Sequence, residues 1–409
     1  MINNLPNGWK VEKLEKLCSF INGFAFKSSD YVDNSNTVSI RMSNIRPNAS
    51  FDYTHNIRYL PDNFAEKYSQ YILKDGDIIV AMTDMGQTMN ILGVPTIVRK
   101  DINQNINFLL NQRVGKLFNF DKDIVLVDYI KLFMATDYIH NFYKQLGGGG
   151  LQINLSKKDL LSAPILIPPF QQQEKIVKVL DLTSNLIEKQ KELLKKYDLF
   201  LKSKFIEMFG DPIKNPMGWE TEKLGKLADW KGGGTPSRKK PEYFDGDIPW
   251  ITTISLGKIY INEEDAVEFI TNEAVDNSAT KIIPKNSIII GTRVGVGKVS
   301  INKSELCTNQ DIMSMTNIST NLSNIFLYFF INYYNDFLKS QQRGATIQGI
   351  TGPVLKDLDT ILPPIELQNK FASIVEKIET IKEKENQKLK QLEDLHYSLM
   401  QKAFKGEIQ

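Results

Sequence analysis

"IPPFQQQEKIV" (residues 167–177) is the stretch on which the reading of this chain turns. Pro168-Pro169-Phe170 is three-quarters of the tetrapeptide that DNA amino-methyltransferases place beside the base they modify. Those enzymes carry Asn or Asp before the prolines, because an amide or carboxylate oxygen there accepts a hydrogen bond from the exocyclic amine. Ile167 has no such acceptor, so the chemistry is excluded. The prolines instead open a segment free of Pro and Gly as far as Gly210, rich in the helix formers Leu, Lys, Glu and Gln. Seven-residue apolar rows run through it: Val179, Leu186, Leu193 and Phe200 beside Leu180, Ile187, Leu194, Leu201 and Met208. Rows of that length predict a coiled-coil helix, and the prolines preset its first turn, where backbone N–H groups have no helical partner to lose.

The stretch is written twice. "PPFQQQEKIV" (168–177) returns as "PPIELQNKFA" (363–372), sharing both prolines, Gln173/Gln368 and Lys175/Lys370. Behind it lies a second segment without Pro or Gly as far as Gly406. Phe371, Ile378, Leu392 and Leu399 interleave there with Ile374, Ile381 and Leu395, broken by Glu385 and Lys388. Upstream, "PNGWKVEKLEKL" (6–17) returns as "PMGWETEKLGKL" (216–227), identical at eight of twelve positions and including Trp9 and Trp219. Between these anchors "KDGDIIVAMT" (74–83) answers "PKNSIIIGTR" (284–293), and "NQR" (111–113) answers "NQD" (309–311). Two copies are too few for a solenoid, so the chain is a tandem duplication.

Each copy begins with short β-rich runs ("DIIVAM", "VPTIVR", "SIIIGTRV", "GKVSI") punctuated by turn residues, then a helical pattern at 127–146 and 322–341. The expected fold is therefore α+β: two globular mixed α/β domains, 1–165 and 210–360, joined by two long helical spacers, 166–209 and 361–409. An antiparallel coiled coil of the two helices gives a pseudo-two-fold tandem repeat and holds two similar heads at the ends of a bar. The polar interruptions "EKQKE" (188–192) and "EKENQ" (383–387) are then expected to meet.

Length, at 409 residues, already asks for more than one core. Lys and Arg total 50 against 48 acids, so bulk charge does not announce a nucleic-acid partner, and any basic surface must arise from uneven distribution. Cys18 and Cys307 suggest no disulfide framework and point to a reducing compartment. "MINNLPNGWK" lacks the regions of a signal peptide. The apolar run "IFLYFFI" (325–331) falls far short of the ~20 residues of a membrane helix. A cytoplasmic protein with no membrane partner is expected.

No reaction centre stands out. "GTRVGVGK" (291–298) is one spacing off a phosphate loop, Val299 replaces the Ser or Thr that would hold magnesium, and a turn between strands is the better reading. Asp229-Trp230-Lys231 matches only the tail of a nuclease pattern. His55, His140 and His396 are scattered, without the spacing of a metal site. A Gly-x-Ser-x-Gly elbow is absent.

Two similar but unlike heads on a spacer suit duplex DNA, where readers match their geometry to separated half-sites. Several further stretches carry a specific resemblance: "NGFAFKSSDY" (22–31), "GGGTPSRKKPEYFDGDIPWI" (232–251), "GGGGLQINLSKKDL" (147–160) and "RGATIQGITGPVLKDL" (343–358). With the Gly-Trp entries at Trp9 and Trp219 and the two Pro-Pro-x-x-x-Gln helix starts, the whole chain resembles the specificity subunit of bacterial type I restriction–modification enzymes. One departure is Gln171-Gln172, where an acidic pair is common in that family.

The resemblance implies that 1–165 and 210–360 are target-recognition domains, each reading half of a bipartite, asymmetric double-stranded DNA site. It implies that the helical spacers bind two modification (methyltransferase) subunits. S-adenosylmethionine would belong to those subunits, and ATP and magnesium to restriction subunits. This chain would be non-catalytic and hold no cofactor. Candidate DNA-binding residues are Thr235, Ser237, Arg238, Lys239 and Lys240, the densest basic run, in a Gly/Pro loop. Arg41 and Arg46 alternate with Ser and Asn and suit guanine edges. Arg113, Arg293, Lys298, Arg343, Thr346 and Gln348 join them through their repeat positions, and Gly147–Gly150 suits either a close backbone approach or a joint. The residues alone also leave open a coiled-coil protein-interaction adaptor that binds no DNA, and a stand-alone enzyme acting on nucleic acid.

Overall fold

The uninterrupted apolar run Ile78–Ala81 forms a strand buried along its whole length, as such a run requires. It lies inside a four-stranded antiparallel sheet ordered Ser19–Asn22, Val114–Phe118, Ile78–Ala81, Pro95–Ile97. A second sheet, Tyr59–Leu60, Thr37–Ile40, Asn107–Leu110, Ile72–Leu73, contains one parallel pair, Thr37–Ile40 with Asn107–Leu110. A two-stranded ribbon pairs Lys10–Lys13 with Pro164–Ile167, so the chain's entry is tied to the strand that leads into the first long helix. The structure, a computed structural model, describes residues 5–46, 49–85, 90–100, 105–146, 152–342 and 349–408.

The second copy repeats this plan. Asp229–Gly232, Ile312–Thr316, Ile288–Gly291 and Val299–Asn302 line up in the same order, extended by Tyr260–Ile261. Glu268–Ile270, Ile248–Ile251 and Cys307–Thr308 form the second sheet, again with one parallel pair. Thr221–Lys223 pairs with Asp359–Ile361 as the entry ribbon. Each helical pattern resolves into two helices: Val127–Met134 with Asp137–Leu146, and Asn324–Tyr333 with Asn335–Ser340. In the first pair Thr136 marks the break, its hydroxyl donating to the Phe133 carbonyl and so competing with the helical ladder.

The chain divides into two compact units, Met1–Lys189 with Leu389–Gln409, and Gln190–Lys388. Each unit takes half of both long helices, Phe170–Phe209 and Ile365–Phe404. In the first unit Thr183 Oγ1 lies 2.6 Å from His396 Nδ1, and Gln172 donates to the Ile408 carbonyl at 2.8 Å. In the second, Gln190 donates to the carboxylate and carbonyl of Glu385, Lys382 pairs with Asp198 at 2.7 Å, and the Phe205 and Phe209 rings meet Phe371 edge-on. Residue numbers rise along one helix as they fall along the other, so the pairing is antiparallel. The two polar interruptions meet as expected, through Gln190 and Glu385. The interval separating Pro168 from Pro363 also separates these two, so they are the same position of the repeat.

Only part of the heptad pattern is buried. Leu180 and Leu201 are inside, whereas Leu182, Leu186, Leu199 and Phe200 keep 46–63% of their surface. Val179 and Leu193 of one row, and Ile187, Leu194 and Met208 of the other, are half-buried, so the row of Leu180 and Leu201 is the more deeply covered of the two.

The repeated glutamine of the helix start proves to be a joint. Gln173 is fully buried; its amide oxygen accepts from the Leu126 N–H at 2.8 Å, and its NH2 donates to the Ile124 and Pro168 carbonyls at 2.9 and 3.0 Å. Gln368 does the same with the Ser323 N–H and the Asn321 and Pro363 carbonyls at 2.8, 2.9 and 2.7 Å. Each glutamine ties a long helix to the loop that starts the domain's own helix.

Candidate nucleic-acid interface

One end of each unit is a set of loops stitched together by main-chain bonds. In the first unit Asn111 N donates to Ile40 O at 3.0 Å, Gln112 N to Phe24 O at 2.9 Å, Met82 N to Arg113 O at 2.9 Å and Leu155 N to Met82 O at 2.8 Å. In the second, Asn309 N donates to Ile251 O at 3.0 Å, Thr292 N to Asp311 O at 2.8 Å and Ile350 N to Thr292 O at 2.7 Å. Gly23 and Gly233 are required at matching places: a Cβ on either would collide with the carbonyl of Asn111 or Asn309. The side chains are thus presented from rigid backbone.

Of the predicted contacts in the first unit, Arg113 is exposed on the turn after Asn111, and its side chain has no partner among the described residues. Arg41 and Arg46 lie on the neighbouring 41–56 loop, which Asn44 holds through the Asp52 and His55 carbonyls. Arg41 is half-buried, donates to the Asn56 carbonyl at 2.7 Å, and has its pKa lowered by that burial. Arg46 reaches the Ser43 carbonyl at 3.4 Å.

In the second unit, Arg293 lies 3.7 Å from the Asp311 carboxylate, Thr235 bonds Gln310, and Lys298 reaches the Thr253 carbonyl at 3.4 Å, all on the stitched loops. Ser237 and Lys239 are exposed. Arg238 is clamped: both guanidinium nitrogens donate to Glu268 at 2.6 Å, and the group lies 4.1 Å from the Phe244 ring centre. Lys240 donates to the Tyr243 hydroxyl at 2.8 Å. The basic run therefore offers less free charge than its composition suggests. Arg343, Thr346, Gln348 and Gly147–Gly150 lie outside the described residues. Sequence reasoning passed over Lys157, which lines one cleft with Arg113; its signal was a lysine pair opening the short helix Lys157–Leu161, after the strand Gln152–Asn154.

The segment 291–298 is a turn between antiparallel strands, with Gly295 and Gly297 at positive φ. Among the described residues no group of three or more His, Cys, Asp or Glu comes together. Cys18 and Cys307 are free and buried, and burial pushes their thiols up to about 12 and about 11. No helix among the described residues is long and apolar enough to cross a membrane.

The MjaIX type I restriction enzyme specificity subunit of Methanocaldococcus jannaschii is 31% identical over 195 residues, which are 47% of this chain and 45% of that relative. The chain thus matches less than half of that relative's length. The StySPI specificity subunit of Salmonella potsdam is 24% identical over 439 residues, spanning 99% of this chain and 90% of the relative. A solved chain from work on complex assembly and conformational transition of the type I R-M system shares the fold, with a TM-score of 0.56 at 18% identity over 98% of both chains. The family model for the type I restriction modification DNA specificity domain matches twice, at residues 6–196 and 216–394. With one fold built twice and that model fitted to each copy, the chain belongs to the type I restriction modification DNA specificity domain family.

Proposed function

We propose that this chain is the non-catalytic DNA-reading subunit of a type I restriction–modification complex, with residues 1–165 and 210–360 each reading one half of a bipartite, asymmetric site. One observation carries the reading: the two loop ends share their main-chain stitches but differ in the side chains set on them. Thr83 and Arg113 in the first stand where Arg293 and Asp311 stand in the second. A common frame with different donors and acceptors suits two readers of two different sequences.

The helical spacers 166–209 and 361–409 would dock two modification subunits. Leu182, Leu186, Leu395 and Tyr397 in the first unit, and Leu199, Phe200 and Ile381 in the second, are exposed apolar side chains on the long helices. Apolar surface of this kind supports a protein partner. Such partners would bring S-adenosylmethionine, and restriction subunits ATP and magnesium; this reading also places the protein in the cytoplasm.

The test is co-expression with a modification subunit, capture of the complex, and DNA binding across a salt series. A reader of phosphates loses affinity with a slope of about 0.9 per contact, and methylome sequencing of the source strain should return a split motif. A protein-interaction adaptor would show no sequence-specific binding with any partner.

A further inference from the structure

Resting on that DNA-reading role, we infer that the cleft beside Arg113 in the first unit is a clamp for a DNA phosphate, with Arg113 and Lys157 as its cations, and that the homologous position of the second unit is not. The cleft encloses about 480 Å³ and is lined by Asn22, Thr83, Gln112, Arg113, Asn154 and Lys157, among others. Among the described residues no carboxylate lines it. The chain segments directly after Met85 (86–89) and before Gln152 (147–151) contain no Asp or Glu either. Two positive groups share a concave wall with no counter-charge among the described residues that line it, so the wall carries net positive charge for an anion to meet.

The wall is held for that purpose. The Arg113 carbonyl is fixed by Met82 N, and Leu155 N is fixed on the Met82 carbonyl, so the two cation-bearing loops are joined through one residue. Thr83 Oγ1 donates to Asn154 Oδ1 at 2.7 Å, which engages the amide's oxygen and leaves its NH2 as the end able to meet an acceptor.

The second unit has the same stitches and the opposite electrostatics. Following the repeat, Arg113 corresponds to Asp311, Thr83 to Arg293 and Lys157 to Gly352. Arg293 faces Asp311 at 3.7 Å, so the pair is internally neutralised, and no lysine takes the place of Lys157. At these positions two unneutralised cations in the first unit stand against one arginine paired with a carboxylate in the second. A phosphodiester is the ligand of matching charge that duplex DNA presents whatever its sequence, and lysine, a point charge without base-specific geometry, suits it.

The experiment uses the complex with its modification subunits and a random-sequence DNA duplex, whose binding is electrostatic. Arg113→Gln with Lys157→Gln should lower the slope of log K against log salt by about 0.9, the share of one phosphate; between about 50 and 200 mM salt the variant then loses about 3.5-fold less affinity than the parent. Arg113→Lys with Lys157→Arg conserves charge and should keep the parent's slope. A steep parent slope that survives the double Gln substitution overturns the clamp but leaves the DNA-reading role standing. Loss of slope in the charge-conserving pair also overturns it, because the effect is then structural. A parent complex with no salt-dependent binding removes the DNA-reading role itself.

Discussion

Replacing Gln368 with leucine keeps the side chain's size and deletes its hydrogen bonds. The Ser323 N–H and the Asn321 and Pro363 carbonyls then lose partners now at 2.7–2.9 Å. A buried group left without a partner costs about 1–3 kcal/mol. Asn321 lies at the surface, where water replaces part of the loss. The sum for Gln368→Leu is about 2–4 kcal/mol, at the upper end for single substitutions. The loss should fall on one unit. Hydrogen exchange should rise across 322–334 and stay unchanged across 124–134, and Gln173→Leu should give the mirror image. Gln368→Glu adds a test of sign. A carboxylate would face two carbonyl oxygens, so folding favours its protonated form and raises its pKa above the unfolded value of about 4.3. That variant should be most stable below the unfolded value and lose stability as pH climbs through the folded one. A stability change under about 0.5 kcal/mol for Gln368→Leu, or equal loosening of both units, would refute the joint.

The other expectations concern surfaces and charge. Leu186→Glu with Phe200→Glu should change unfolding stability by no more than about 0.5 kcal/mol yet abolish capture of the modification subunit; retained capture removes the helices as the docking surface. Exchanging residues 1–165 for the same region of a relative should alter one half of the methylated motif, and a change in both halves would contradict separate readers. Arg238→Ala should cost about 1 kcal/mol in unfolding, through Glu268 and the Phe244 ring, with little change in the salt slope; Lys239→Ala should do the reverse, and matching profiles would count against it. Burial lowers the pKa of His396, which lies against Thr183. The unfolded chain therefore binds the proton more tightly, so stability is complete above the ordinary value near 6.5 and falls as pH drops through the lower folded one. Exchange in 180–187 should accelerate there, and His396→Gln should remove the dependence.

The duplication, the helix starts and the antiparallel pairing were legible because each leaves a local or periodic trace. Pro168 and Pro363 mark helix entries wherever they occur, and rows at Leu180 and Leu201 repeat at helical spacing. What could not be read was partnership across long stretches of chain. Glu268 neutralises Arg238 from thirty residues away in sequence, and nothing around "SRKKP" announces it. Gln173 was visible as a repeated letter, but its bonds to Leu126 and Ile124 exist only once the domain has folded. Periodicity likewise offers two apolar rows and cannot say which one the partner helix covers.

The meeting of Gln190 with Glu385 bears on which helices of this protein pair. Each long helix is the other's closest mimic, so a neighbouring molecule carries two ready substitutes for either strand of the pair. Because the two residues occupy one repeat position, swapping like for like sets Glu385 against a second Glu385, or Gln190 against a second Gln190. The first juxtaposes two carboxylates, and the second forfeits the charged acceptor that Gln190 now reaches at 2.7 Å. Only the unlike pair combines a donor with a carboxylate, so a single amide-to-acid divergence between the copies biases pairing toward one helix of each copy and against two of the same.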